Sequence, residues 1–445
     1  MQTTSGLKRC ARDIFNYALQ AVHPARLIRK KVSLEGTMLR VGKRRYDLDK
    51  YDRILVVGVG KASAPMAQAL EKVLGERITK GLVVVKYGHA LPLKRIRVLE
   101  AGHPFPDRMS RVAAEELLDL VSGLNQRDLV FSLLSGGGSA LLCLPPDGIT
   151  LRDFVSLTRR LLSSGADIKE INTLRKHLSL IHGGRLARAI YPATLISLIL
   201  SDVVGDPLDM ISSGPTVPNG STFRDALEVI GKHGLNKGLP RSVYSYLHKG
   251  VKGEVPENPK EGDHCFSSSY TVLLGNNNAA LKAAGERART LGFNTLILSS
   301  SITGEAREVA NVFTSMAKEV CRSGRPIQRP ACLLAGGETT VTLRGRGKGG
   351  RNQEFALASA LELAGWDGVV ILSGGTDGTD GPTDVAGAVV DGYTCKRAEK
   401  RFKIDAKDYL QKNNSYSFFR RSGGHLVTGP TLTNVMDIML ALVGG

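Results

Sequence analysis

Short runs of consecutive apolar residues alternate along the chain with segments in which apolar residues recur at helical spacing. In the first half the runs lie at Ile54–Gly58, Gly81–Val85, Asp128–Leu134 and Thr194–Leu200. Runs without polar alternation predict strands that are buried on both faces, and segments such as Ser110–Val121 predict amphipathic helices between them. This order favours a parallel sheet with helices on both sides, which is a doubly wound α/β domain.

The second half continues the pattern with less regularity. Tyr270–Leu274, Asn294–Ser299 and Arg329–Ala335 predict further strands, and the alternating segment Thr339–Leu343 predicts an antiparallel edge strand. These elements predict a second α/β domain.

A segment rich in Gly, Pro and Lys, over residues 236–266, separates the two halves. We therefore predict a Rossmann-like domain over 1–240, a linker over 241–264 and a second domain over 265–445. The first ~45 residues are also expected to be able to pack on the second domain, as an N-terminal arm can.

Composition supports this assignment. The 445 residues are 42% hydrophobic and 5% aromatic and include 50 glycines, a balance that suits α/β proteins. No run approaches the roughly 20 apolar residues of a membrane span, and Met1–Ala11 lacks the apolar core of a signal peptide. The six cysteines show neither C-x-x-C nor zinc spacing. We predict a cytoplasmic protein with no membrane association.

The net charge of +18 raises nucleic-acid binding as an alternative function. However, the basic residues are spread along the chain, and the clusters Arg29–Lys31 and Lys43–Arg45 are short. No recognition helix, zinc finger or aromatic-basic motif accompanies them. We interpret the charge as a solvated basic surface that also suits anionic metabolites, and we expect no nucleic-acid partner.

A glycine turn, Gly58-Val-Gly60, precedes Lys61 directly after the first buried strand. Such a turn can bind phosphate on backbone N–H groups at a helix N-terminus. It lacks Walker A spacing, and it departs from the dinucleotide fingerprint because Ser63 replaces the third glycine and the next strand ends at Lys86. A structural βα turn and an NAD(P)H-dependent hydroxypyruvate-type reductase both remain open here.

A second glycine loop follows a second strand, at Ser135-Gly136-Gly137-Gly138-Ser139. Three successive glycines cost backbone entropy without adding packing, so a purely structural use is less attractive. Backbone amides of this loop are predicted to cradle nucleotide phosphates.

Charged residues complete a set suited to phosphoryl transfer. Asp202 ends the strand Thr194–Leu200, where a carboxylate can hold Mg²⁺ or accept a hydroxyl proton. Arg351 begins a predicted helix and can fork onto a carboxylate or phosphate. Asp377 and Asp380 lie in a loop that offers hard oxygen ligands, although a polar surface loop remains open. Cationic clamps, amide cradles and carboxylates are the parts of a kinase site.

With these residues in view, the chain resembles the glycerate 2-kinases of the MOFRL family (class II glycerate kinases) over nearly its whole length. The matching motifs are Val57–Ala62, Leu134–Leu141, Asn172–His177, Ser201–Asp206, Ser212–Thr216, Gly349–Glu354, Gly374–Asp380 and Leu426–Asp437. The closing motif departs from the family pattern at Leu432, where the family usually has Gly, and at Met436, where it commonly has Asn. The Arg344–Gly350 tract is left open as a mobile lid.

The resemblance implies a Rossmann-like N-terminal domain, a C-terminal MOFRL domain and an active site in the cleft between them. It implies ATP and Mg²⁺ as cofactors and D-glycerate as substrate, phosphorylated at the 2-hydroxyl to 2-phosphoglycerate. The sequence leaves open whether the protein is a monomer or a homodimer.

The resemblance also implies roles for residues named above. Lys61 and Arg351 would bind the glycerate carboxylate or the transferring phosphoryl group, and Asp202 would orient the hydroxyl or the metal. Glu338 and Asp377 would complete the polar site, with Lys176 as a further clamp. Residues Ser135 to Ser139 would bind nucleotide phosphates, and Asp202, Asp377 and Asp380 are the metal-ligand candidates.

Overall fold

A computed structural model describes residues 3–445, which form two compact units. One unit comprises Leu27–Leu274, and the other combines the residues up to Arg26 with Gly275–Gly445. Among the described residues, no helix has both the length and the apolar character needed to cross a bilayer.

The strands are β1 Val32–Glu35, β2 Met38–Val41, β3 Arg44–Asp47, β4 Arg53–Val59, β5 Lys80–Lys86, β6 Ile96–Ala101, β7 Asp128–Leu134, β8 Thr194–Leu200, β9 Ser269–Gly275, β10 Asn294–Ile302, β11 Ala331–Gly337, β12 Val369–Gly375, β13 Gly387–Asp391, β14 His425–Leu426 and β15 Asp437–Val443. The helices are α1 Thr4–Ala21, α2 Pro24–Lys31, α3 Ser63–Leu74, α4 Arg108–Leu120, α5 Gly138–Leu141, α6 Leu151–Ser163, α7 Ile168–His177, α8 Arg185–Ile190, α9 Phe223–Lys232, α10 Arg241–Val251, α11 Asn277–Thr290, α12 Ala306–Ser323, α13 Arg351–Glu362, α14 Thr394–Phe402, α15 Ala406–Gln411 and α16 Ser415–Ser422.

The unit Leu27–Leu274 is built on a six-stranded sheet in the order β6-β5-β4-β7-β8-β9. Strands β6, β5, β4, β7 and β8 pair in parallel, and every residue of β7 is buried. Counted from β4, this is the 3-2-1-4-5-6 order of a Rossmann domain, so the predicted fold class is confirmed. Because the order reverses between β4 and β7, the loops that follow these two strands lie side by side.

The second unit has a mixed sheet in the order β10-β11-β15-β12-β13-β14. Within residues 3–445, β10 and β11 are its one parallel pair, and the other neighbours are antiparallel. Strand β15 lies between β11 and β12 and is antiparallel to both. Leu333 packs in the core with residues of α12 and α13, and the α11 residue Gly285 approaches Leu334. Neighbouring residues of a strand face opposite sides, so helices cover both faces of this sheet.

Helix α1 belongs to this second unit because its apolar stripe is fully buried there. Leu7, Ile14 and Phe15 are 0% exposed, and Phe15 approaches Gly374 of β12. Asp13 of α1 forms an ion pair with Arg287 of α11 at 2.7 Å. The residues up to Arg26 thus belong to the second unit, whereas β1–β3 belong to the first unit.

Two other sequence-based predictions differ from the structure. The predicted linker, 241–264, contains α10, whose Val243 and Leu247 pack in a core cluster with Phe223 of α9. Its glycines and lysines obscured the i, i+4 spacing of these apolar residues. The predicted edge strand Thr339–Leu343 forms only an isolated bridge between Thr340 and Glu305, because the Thr342 N–H donates instead to the Glu305 carboxylate.

Candidate active site

The two glycine-rich turns are joined through their backbones at the point where the strand order reverses. The Lys61 N–H donates to the Gly136 carbonyl at 2.9 Å, and the Ala62 N–H donates to Ser135 Oγ at 3.0 Å. The Ser135 N–H donates to the Val59 carbonyl at 3.0 Å. Lys61 and the Ser135–Ser139 loop, which are 74 positions apart or more in sequence, are therefore neighbours.

Packing accounts for the first two glycines of the imperfect fingerprint. Gly58 lies inside β4, and a Cβ there would come within 2.9 Å of the Leu133 carbonyl oxygen. Gly60 has φ of 128°, and a Cβ there would lie 2.3 Å from the Ser135 carbonyl oxygen. These glycines allow β4 and its turn to approach β7, and the nicotinamide-binding interpretation loses its main support.

At each glycine of the second loop, a side chain from elsewhere in the unit packs against the backbone where a Cβ would lie. A Cβ on Gly136 would lie 1.5 Å from Asp202 Oδ2, and a Cβ on Gly138 would lie 2.2 Å from Ser212 Oγ. A Cβ on Gly137 would lie 3.1 Å from His103 Cδ2. Asp202 is thus seated directly on the loop backbone. The phosphate cradle stays a prediction, and within the loop only Gly137 and Ser139 are partly exposed.

The turn Ser212-Ser213 carries backbone strain beside this loop. Both serines have left-handed φ, 52° and 57°, which costs a non-glycine residue about 1–3 kcal/mol. Ser212 Oγ donates to the Ser135 carbonyl at 2.7 Å, and Ser213 Oγ lies 2.7 Å from Ser139 Oγ. The sequence marks this turn as polar, but it does not show that the hydroxyls close one corner of the site.

Positive charges surround the same loop. Burial, followed by the charges of Lys61, Lys86 and Arg175, lowers the pKa of His103 to about 4, so this histidine is neutral at pH 7. The predicted clamp Lys176 is different: its side chain is only 4% exposed, and its Nζ forms a 2.7 Å ion pair with Asp209. The charge of Lys176 is therefore already balanced within the protein.

In the second unit, Arg351 is the centre of a carboxylate cluster. Its Nε and Nη2 donate to the two oxygens of Asp437 at 2.6 and 3.1 Å, and its Nη1 donates to Glu338 Oε1 at 2.6 Å. Asp437 begins β15 and pairs there with Gly337 of β11 and Gly375 of β12. Although burial opposes the charge of Arg351, the Asp437 and Glu338 carboxylates raise its pKa above the ordinary value. The sequence did not identify Asp437 as the partner of Arg351.

The two aspartates of the loop differ in their surroundings: Asp377 is partly exposed, and Asp380 is buried. Asp377 Oδ1 accepts from the Thr379 N–H at 3.0 Å, and this oxygen and Asp437 Oδ1 each lie 3.5 Å from the Cβ position of Gly375. Asp377 therefore lies beside the Arg351 cluster. Asp380 is 2% exposed and accepts from the Asn352 and Gln353 N–H groups at 3.0 and 2.9 Å.

Asp380 thus caps the N-terminus of α13, and burial raises its pKa to about 6. Both of its oxygens accept hydrogen bonds from this helix, and its role as a metal ligand stays a prediction. Within residues 3–445 no three His, Cys, Asp or Glu side chains form a group suited to a metal. Mg²⁺ that binds chiefly through phosphates needs only one or two carboxylates, so Asp202 and Asp377 stay candidate ligands.

The glycine-arginine tract considered as a lid is fastened to the α15–α16 turn. The Arg344 and Gly345 N–H groups donate to Asn413 Oδ1 at 2.7 and 2.9 Å, and the Gly347 N–H donates to the Lys412 carbonyl at 3.0 Å. A Cβ on Gly345 would lie 2.4 Å from that carbonyl oxygen. The glycines allow the tract to pack closely against the α15–α16 turn. This contact gives the lid hypothesis no support.

The two departures from the family's closing motif both fall on left-handed backbone. Leu432 has φ of 62° and Met436 has φ of 68°, a region that glycine and asparagine adopt more readily than other residues. Leu432 and Met436 therefore keep the left-handed backbone that Gly and Asn favour, and both are strained in it.

We expect Leu432→Gly to be more stable than Leu432→Ala by about 1 kcal/mol, because both lose the same contacts and only glycine relieves the strain. Urea unfolding of the two variants measures the difference. The exposed helical residue Leu162 provides the control, where glycine should be the less stable of the two by about 1 kcal/mol. An alanine variant at 432 that equals or exceeds the glycine variant would contradict this account.

The chain is thus a two-unit α/β protein with charged residues in the loops that follow its strands. The model of the MOFRL family matches residues 331–437, and the model of DUF4147, a domain of unknown function, matches residues 10–248. The chain belongs to the MOFRL family, as the sequence motifs indicate.

Known relatives cover nearly the whole chain. The D-glycerate 2-kinase of Thermotoga maritima is 43% identical over 440 residues, which are 98% of this chain and 98% of that protein. A crystal structure of glycerate kinase from the same organism has a TM-score of 0.86 at 43% identity and covers 99% of this chain and 100% of its own. A provisionally named hydroxypyruvate reductase from Agrobacterium vitis is 45% identical over 394 residues, 88% of this chain and 87% of that protein.

Proposed function

We propose that the protein is a D-glycerate 2-kinase, which transfers the γ-phosphoryl group of ATP to the 2-hydroxyl of D-glycerate. The observation that carries this proposal is the 43% identity to a D-glycerate 2-kinase over 98% of both chains. The site chemistry agrees with it, since phosphoryl transfer depends on positioned cations and one carboxylate near the attacking hydroxyl.

In the proposed reaction the 2-hydroxyl oxygen forms a bond to the γ-phosphorus, and the bond from that phosphorus to the β–γ bridging oxygen of ATP breaks. Asp202, held against Gly136, accepts the hydroxyl proton, and Lys61 on the adjoining turn balances the charge of the transferring group. ADP leaves with the electron pair of the broken bond.

Arg351 is proposed to bind an anionic group of the substrates by exchanging one carboxylate partner. Asp437 is 0% exposed and holds the guanidinium with two hydrogen bonds, whereas Glu338 is 45% exposed and holds it with one. An incoming carboxylate or phosphate can therefore replace Glu338 while Asp437 keeps Arg351 in place.

The remaining parts of the proposal concern the cofactor and the cooperation of the two units. Mg²⁺ supplied with ATP would neutralise phosphate charge, with Asp202 and Asp377 as its candidate ligands. We also propose that both units serve one reaction, so that changes at Lys61 and at Arg351 impair the same turnover. The Ser135–Ser139 loop is proposed to bind the nucleotide phosphates.

The two alternative functions, a reductase and a nucleic-acid-binding protein, have weaker support. The reductase interpretation rests on a glycine turn whose glycines serve packing and on the provisional name of the Agrobacterium vitis relative. Against it, β5 ends at Lys86 where an acid that binds ribose is expected. The nucleic-acid interpretation rests on net charge alone.

The test incubates the purified protein with ATP, Mg²⁺ and D-glycerate and couples the product to enolase without a phosphoglycerate mutase. We expect a signal that requires both ATP and D-glycerate, because enolase accepts 2-phosphoglycerate and not the 3-isomer. ADP without an enolase signal would contradict the 2-position, and no ADP would contradict the kinase. Oxidation of NADH by hydroxypyruvate in the absence of ATP would favour the reductase.

A further inference from the structure

Arg175 is a partly buried cation that has no acidic partner among residues 3–445. Its Nε is shielded from solvent and makes no hydrogen bond, and no carboxylate of residues 3–445 forms an ion pair with it. The neighbouring Lys176 is balanced by Asp209 at 2.7 Å. Burial lowers the pKa of Arg175, and a nearby thiol, Cys143, is the one group that opposes this. The charge of Arg175 is thus left without a carboxylate partner, and its Nε is left without a hydrogen bond away from solvent.

A second unsatisfied group lies close to Arg175. His182 is 1% exposed, and neither of its ring nitrogens has a hydrogen-bond partner among residues 3–445. Burial and the charges of Arg175 and Lys176 lower its pKa to about 3, so it is a neutral ring with one N–H to donate. Buried polar side chains are normally hydrogen-bonded, so an imidazole without partners indicates a missing ligand or water.

Both groups lie near the strained turn Ser212-Ser213 of the candidate active site. On α7, Asn172 precedes Arg175 by three positions and lies 2.9 Å from Ser213 Oγ, so the two share a helix face. Gly183, next to His182, donates its N–H to the Ser213 carbonyl at 3.0 Å. Ser213 in turn contacts Ser139 of the glycine loop. Arg175 and His182 therefore approach the same corner from two elements.

We propose that Arg175, with His182 beside it, binds the carboxylate group of the hydroxy-acid substrate. This inference rests on the proposed function and assigns its substrate a specific anchor. A guanidinium fork whose Nε is available matches a planar carboxylate with two parallel hydrogen bonds. His182 and the Nε of Arg175 are buried, which suits a small anion better than a nucleotide polyphosphate. Lys176, paired with Asp209, is not the anchor.

The test compares Arg175→Met and Arg175→Lys with wild type in steady-state kinetics and in thermal melting with D-glycerate alone. Loss of a hydrogen-bonded charge is expected to raise the KM for D-glycerate by about 10- to 100-fold, while the KM for ATP stays within about twofold. Arg175→Lys keeps the charge but not the fork, so its KM should lie between those of wild type and Arg175→Met. The exposed helical variant Arg111→Met is the matched control and should behave as wild type.

Glycerol, which lacks the carboxylate, provides an independent readout. Wild type should prefer D-glycerate strongly, and Arg175→Met and His182→Gln should lose most of that preference by weakening D-glycerate alone. An increase in the KM for ATP with an unchanged KM for D-glycerate would overturn the inference and assign the corner to phosphate. Unchanged kinetics in Arg175→Met and in Arg175→Lys would overturn it as well.

Melting separates this inference from the proposed function. If wild type shows no kinase activity but D-glycerate still raises its melting temperature, and Arg175→Met abolishes that increase, the proposed function fails and the carboxylate anchor stands. If wild type is an active kinase and both Arg175 variants retain the full increase, the anchor fails alone. Melting without ligand shows whether each variant is folded, and Arg175→Lys remains the test if Arg175→Met is not.

Discussion

Arg351→Met is expected to lower kcat/KM by about 10²- to 10³-fold, as does the loss of one positioned donor to transition-state charge. It should also destabilise the protein by about 3–5 kcal/mol, because Asp437, 0% exposed, would keep a buried charge without a partner. Enolase-coupled kinetics and urea unfolding measure the two effects separately.

The double variant Arg351→Met with Asp437→Leu distinguishes a chemical role from a structural one. Removing both charges should restore most of the lost stability, because an apolar pair no longer leaves a buried ion uncompensated. Turnover should stay low. If turnover returned together with stability, Arg351 would serve only to hold Asp437 and the strand ends in place.

Gly136→Ala is expected to have the second largest effect. The added Cβ would lie 1.5 Å from Asp202 Oδ2, so either the carboxylate or the loop must move by an ångström or more. Such a displacement of a reacting group lowers turnover by about 100-fold, and overpacking costs about 1–3 kcal/mol in stability. The measurement is kcat with saturating D-glycerate, together with the urea midpoint.

Gly220→Ala is the matched control, since it lies in the same unit and a Cβ there meets nothing within 4 Å. It should leave turnover and stability nearly unchanged. Wild-type turnover by Gly136→Ala would contradict a role for the present contact between Asp202 and the loop, because that contact cannot persist in this variant.

The parallel sheet could be predicted closely because its inner strands β4, β7 and β8 and the adjoining β5 contain apolar runs. The prediction Asp128–Leu134 coincides with β7, and Thr194–Leu200 coincides with β8. Placement of β15 was beyond reach, since no local pattern indicates that residues 437–443 pair between β11 and β12. The helix α10 was missed because glycine, proline and lysine dominate the composition around it.

The sequence indicated which polar strand ends lie together, but it did not indicate ion-pair partners that are distant in sequence. Lys61 and Ser135 were both predicted, and the sheet order brings their turns together. The pairing of Arg351 with Asp437 spans 86 positions and follows only from the antiparallel placement of β15. Spacing also could not show that Asp380 caps a helix, since a cap and a metal ligand require the same oxygen-rich side chain.

The packing of α1 onto strands and helices that follow residue 274 has a consequence for biosynthesis. As the ribosome extends the chain, α1 emerges about 250 residues before its partners, a delay of tens of seconds at typical rates of ~5–20 residues per second. During that time the apolar stripe of α1, including Leu7, Ile14 and Phe15, has no native surface to cover it. Nascent chains of this protein are therefore expected to need a chaperone near their N-terminus until β15 leaves the exit tunnel.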